Sequence, residues 1–139
     1  MARMSCFGLD ELMKDIATEA NNMPEVAAEM LEEGGKVLAD EVRRQMDVYG
    51  VRDTGTTAES IKVSEVKEQD GIKFVEISPR GRRKDSNHPK GERNATVAFV
   101  NEYGTSNTPA RPFMAAAVKS AERPVAEAML RVWERSGKR

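Results

Sequence analysis

The one histidine of the chain, His88, stands among basic residues with no second ligand at a metal-binding spacing, and the nearby Ser86 lies in no structured setting that would make it a nucleophile. A solvated side chain is the expected reading. The single cysteine, Cys6, can close no internal disulfide and has no neighbouring metal ligands, so it reads as a small residue near a chain end and not as a reactive thiol. Glycine-rich phosphate loops of the Walker or dinucleotide type are absent, and paired carboxylates such as Glu32 and Glu33 fall on the polar side of a helix. No acid, base or nucleophile occurs in a setting that supports catalysis. No catalytic residue, cofactor or metal is therefore expected, and an enzyme is the least favoured class.

Two segments hold more specific chemistry. The first is cationic: Arg80, Arg82, Arg83, Lys84, Lys90 and Arg93 lie within residues 79–94 beside only two acids, Asp85 and Glu92. Such a loop can neutralise phosphates, with salt-dependent and sequence-independent affinity, or it can settle on an acidic protein surface. The second runs from Phe99 to Met114, through Glu102-Tyr103-Gly104-Thr105 and Ala110-Arg111-Pro112-Phe113. Here an apolar run ends at a glycine turn, and a rigid elbow then launches a helix. Pro112 is preset for the first helical turn, Phe113 anchors in the core, and Arg111 can pair with Glu102 or with a carboxylate on a neighbouring subunit.

The remaining sequence must position these segments. With 139 residues, 39% of them hydrophobic and 32% charged, the chain fits one domain spanning 1–139, with 79–94 as an extended basic loop or hairpin tip. Aromatics make up only 5% and methionines number 8, so the core is adaptable and gains only modest stability from burial. Association with partners is a natural supplement. No run is long enough to cross a bilayer and Met1 to Gly8 lacks a secretory apolar stretch, which predicts no membrane contact and a cytoplasmic site of synthesis. The net charge of −1 conceals an acidic front and a basic back: residues 1–47 carry 11 acids and 5 bases, whereas 95–139 carry 4 acids and 7 bases. Copies of such a chain can attract one another head to tail.

A brief helix is predicted from Phe7 to about Asn21. A long amphipathic helix follows from Met23 to Tyr49, with Met30, Leu31, Leu38 and Val42 on its apolar face, and Gly34-Gly35 allowing a close approach or a bend. Thr56 with Glu59 fits a capping box and a single helical turn. Strands are predicted over Ile61 to Val66 and Ile72 to Ile77, joined at Asp70-Gly71, and over Thr96 to Val100. The last helix runs from Pro112 to about Ser136, Pro124 offers a kink, and Leu130 with Trp133 lies off the main stripe as a small second patch suited to an intersubunit contact or to an irregular C-terminal packing. The fold class is α+β: a small, mainly antiparallel sheet of three to four strands packed against a long helix in the N-terminal half and a C-terminal helix.

The Glu102-Tyr103-Gly104-Thr105 and Ala110-Arg111-Pro112-Phe113 segments, with Thr54-Gly55 and Ser60-Ile61 upstream, resemble the tail-component family of lambdoid and related long-tailed phages. That family includes neck, tail-completion and minor tail proteins. Its usual leucine between Thr-Gly and Ser-Ile is replaced here by Thr57. The resemblance implies a structural virion protein of the head–tail junction. Such a protein assembles as a homo-oligomeric ring between head-closure or connector proteins and tail-terminator or tail-tube proteins, in transient contact with passing DNA. The expected interface residues are Glu102, Tyr103, Gly104, Thr105, Arg111, Pro112, Phe113, Leu130 and Trp133. A small nucleic-acid-binding protein using the 80–93 loop is the alternative.

Overall fold

The computed structural model describes residues 24–51, 56–84 and 90–136. The helix expected over 7–21, Cys6, Ser86 and His88 lie outside these residues. The first described element is α1 (Pro24–Val48), which buries Val26, Met30, Leu38, Val42 and Met46 along one side, as the spacing requires. Its end is set by Gly50 at φ 68, with Gly50 N–H donating to Asp47 O at 3.1 Å and Val51 N–H to Met46 O at 2.9 Å. These two bonds satisfy helix-end carbonyls in the Schellman manner.

The last element, α4 (Phe113–Ser136), lies antiparallel against α1. Ser120 near its start bonds Glu41 at 2.6 Å, and Arg135 near its end reaches Glu29 at 3.7 Å. Gly34 makes the close approach possible, because a Cβ there would stand 3.2 Å from Met129 Cγ and 3.3 Å from Val125 Cγ1. Pro124 is exposed and the helix continues through it.

Between the helices come the single turn α2 (Thr56–Glu59) and a long hairpin arm. Its strands are β1 (Ile61–Val63), β2 (Lys67–Gln69), β3 (Ile72–Phe74) and β4 (Ile77–Pro79), with β1 paired to β4 and β2 to β3. Asp70 at φ 54 and Gly71 at φ 77 make the reversal, both left-handed as a two-residue hairpin turn demands. The strand expected from Ile61 to Val66 is interrupted: Ser64 Oγ accepts the Glu76 N–H at 2.8 Å in place of a strand carbonyl. Ile61 and Ile77 are buried at the base of the arm, and the whole of β2 is exposed beyond it. Gly35 lets the base seat on α1, since a Cβ there would meet Val63 Cγ1 at 2.9 Å. Arg43 clamps the same join by donating to Ile61 O at 2.7 Å.

The basic segment forms a third ladder, β5 (Arg82–Arg83) with β6 (Glu92–Arg93). The α+β class is as expected, but the strands form three separate two-stranded antiparallel ladders and not one sheet of three to four. Residues 96–100, expected as a buried strand, lie instead in α3 (Asn94–Tyr103). Their β-branched and aromatic residues favour a strand locally, but only Asn94 and Ala98 in this element are buried, a one-sided burial that a helix satisfies. Asn94 fixes its start through Nδ2–H to Arg80 O at 2.9 Å and backbone N–H to Gly81 O at 3.0 Å.

Candidate interface: the α3 face and the elbow

The elbow is assembled from backbone bonds around Gly104, which adopts φ 74 and ψ 178 and ends α3 by donating to Val100 O at 2.8 Å. Only glycine occupies that region readily. Space is also exhausted there: a Cβ on Gly104 would lie 2.7 Å from Thr108 O and 2.8 Å from Ala110 N. Thr105 and Thr108 exchange backbone bonds of 2.8 and 3.3 Å, and Thr105 Oγ1 also accepts the Thr108 N–H at 3.1 Å.

Of the two pairings expected for Arg111, the one with Glu102 does not form within the chain. The Glu102 carboxylate accepts the N–H groups of Met114 at 2.8 Å and Ala115 at 3.1 Å. It thus caps the start of α4 from a different helix and meets the positive end of its dipole. An outside cap is needed because Pro112, whose carbonyl accepts the Ala116 N–H at 3.1 Å, stands where a Ser or Asp would otherwise serve. Pro112 therefore precedes the helix and does not sit in its first turn. Arg111 donates to Gly50 O at 3.0 Å, which places a cation at the carboxyl end of α1. Its backbone N–H bonds Asn101 O at 2.6 Å. Phe113 is fully buried, as the sequence indicates.

The helix that replaces the expected strand turns Phe99 outward. Phe99 is 51% exposed and Tyr103 65% exposed, with ring centroids 4.8 Å apart at 52°. Sequence reasoning missed Phe99 by assigning it to a core strand; its four-residue spacing from Tyr103 was the available signal. Leu130 is exposed on α4, whereas Trp133 is half-buried against the core, so the second patch is partly joined to the interior. Arg80, Arg82, Lys84, Lys90 and Arg93 are all exposed along the basic ladder, in which the backbone of Arg83 is in register with that of Glu92.

A separate polar cluster joins the two long helices. Glu41 accepts bonds from Arg44, Ser120 and Gln45, which together hold its carboxyl down at about 2, the Arg44 bond contributing most. Among the described residues no group of His, Cys, Asp and Glu is placed to hold a metal ion, and no helix is long and apolar enough to cross a membrane.

Residues 10–104, more than half of the chain, match the HK97-gp10-like family, described as "Bacteriophage HK97-gp10, putative tail-component". The chain belongs to this family. No curated protein and no solved structure matches it. As an HK97-gp10-like tail component, the chain has a tail-related structural role in a phage virion, among other virion proteins. The match takes in α1, the hairpin arm, the basic ladder and α3, and ends at Gly104. The Glu102-Tyr103-Gly104 half of the elbow therefore falls within it, and Ala110-Arg111-Pro112-Phe113 lies beyond.

Proposed function

We propose that the chain is a neck or tail-completion subunit that assembles as a ring and joins head-closure proteins to the tail. The observation that carries this reading is the solvent-facing Phe99–Tyr103 pair on α3, at the edge of a rigidly bonded elbow. Paired aromatics held on a fixed backbone suit a protein–protein contact, because they bring large apolar area with little entropy left to lose. Membership of a tail-component family agrees with it. In this reading the subunit is one domain and works by shape: α1 and α4 form the rigid body, while the α3 face, the elbow residues Glu102 to Phe113 and the Leu130–Trp133 face meet neighbours. The subunit is made in the host cytoplasm and ends in the virion neck.

The decisive experiment is deletion of the gene from the phage that encodes it, followed by electron microscopy of lysates. DNA-filled heads and finished tails that remain separate are expected. Joined, infectious particles without the protein sink the proposal.

The exposed cations of the 80–93 hairpin favour a second contact, with passing DNA. Its test is duplex affinity measured against salt: a steep linear fall in log affinity that deletion of the 80–93 loop removes supports it. An affinity indifferent to salt rules it out.

A further inference from the structure

Among the exposed apolar patches of the described residues, one on α3 and one on α4 stand far apart, and the nearest charged turns beside them differ in sign. On α3, Thr96, Phe99 and Tyr103 are exposed at three- and four-residue spacing, so they form one stripe. The stripe begins beside Arg93, whose ladder partner is Arg82, and both arginines are exposed. On α4, Leu130 is 52% exposed, one helical turn from Glu127 on one side and Glu134 on the other, with Trp133 half-buried next to it. One face is aromatic with a cationic end; the other is aliphatic with a carboxylate one turn away on each side, Glu127 being shared with the exposed Arg123 and Arg131 standing next to Leu130.

A single copy cannot bring them together. Met114, tied to α3 through Glu102, lies sixteen residues before Leu130, which at 1.5 Å per residue is about 24 Å along a straight helix. Pairing α3 with α3 across a two-fold axis would leave Leu130 in water and set arginine-bearing ends within one interface. Neither defect arises if unlike faces meet.

We infer that the Phe99–Tyr103 stripe of one subunit docks on the Leu130–Trp133 face of the next, with Arg82 and Arg93 meeting Glu127 and Glu134. The occupant of each face is thus a second copy of this chain. Glu127 now holds Arg123 at 3.1 Å, but the Arg123 side chain is 90% exposed, so that bond is readily exchanged. A contact between unlike faces is head to tail, and repeated head-to-tail contacts close into a ring when the rotation between neighbours allows it. The inference rests on the ring reading above and supplies its interface.

The test uses the full chain in three forms: wild type, Phe99→Asp and Leu130→Asp, each followed by analytical ultracentrifugation from micromolar to millimolar concentration. Wild type should rise in mass with concentration, and each variant should remain monomeric, having one blocked face. An equimolar mixture of the two variants should give a dimer and nothing larger, because only one intact pair of faces is left. Both substituted residues are exposed, and an unfolding transition close to that of wild type confirms that each variant is folded. Arg93→Glu and Glu134→Arg should each weaken association about tenfold or more, and a mixture of the two should recover it. Wild type that stays monomeric, a single variant that assembles like wild type, or a variant mixture that stays monomeric overturns the inference. Its failure is separable from failure of the neck reading: a monomeric protein whose deletion still leaves heads and tails apart loses this interface and keeps the neck role.

Discussion

Thr57 is buried with 3% exposure, and its hydroxyl is left without a hydrogen-bond partner among the described residues. A buried unsatisfied hydroxyl is costly, so Thr57→Val should raise stability by ~1 kcal/mol in urea unfolding. Gly104→Ala should do the reverse, by ~2 kcal/mol or more, since the added carbon meets backbone on two sides and the backbone angles suit glycine alone. At Glu41 the sign follows from its lowered pKa. A carboxyl held at about 2 in the folded chain and titrating normally when unfolded contributes stability that is fully present above about pH 4.5 and is lost as pH falls through about 2. Its side chain is 18% exposed, so screening trims the effect to ~1–2 kcal/mol. Unfolding free energies between pH 5 and 2 should therefore fall more steeply for wild type than for Glu41→Gln; equal slopes would show that the cluster contributes nothing.

At the scale of elements, the two adjacent glycines of α1 serve different neighbours. A Cβ at Gly34 meets the flexible Met129 at 3.2 Å and Val125 at 3.3 Å, contacts relieved by a shift of a few tenths of an ångström, whereas one at Gly35 meets the stiff, β-branched Val63 at 2.9 Å. Replacing either glycine by alanine gains ~1 kcal/mol of helix propensity. Gly34→Ala should thus be near neutral in thermal unfolding, and Gly35→Ala should lose more than it gains, by ~1 kcal/mol or more, as the hairpin base is pushed off α1. The reverse order would mean that the hairpin arm is not seated where the structure places it. Elements also explain why the elbow is a single unit. Glu102 belongs to α3 but satisfies the first turn of α4, so Glu102→Ala should cost ~1 kcal/mol although no residue within α4 has changed.

For the whole molecule, the exposed aromatic pair separates stability from assembly. Phe99→Asp should change unfolding free energy by no more than about 0.5 kcal/mol. In the virion the same substitution should reduce joined particles, counted by electron microscopy. A large loss of stability would instead make the pair part of the core. The charge asymmetry belongs at this scale too: acidic residues dominate α1 and basic residues dominate the hairpin.

The amino-acid sequence by itself determined the long helix, the C-terminal helix, the Asp70-Gly71 reversal and the close approach at Gly34-Gly35. Each depends on a periodicity or a backbone preference confined to a few neighbouring residues. It also indicated the tail-component family, through short motifs around Glu102 and Thr54. Tertiary structure alone decided that 96–100 is helical, because which side of a short apolar run is buried depends on what packs there. In the same way it sent Glu102 to the α4 N-terminus and Arg111 to the Gly50 carbonyl, since a charged group finds its partner in space and those partners lie 12 and 61 residues away. Phe99 was the most consequential change: a residue read as core became the centre of the exposed face on which the assembly proposal stands.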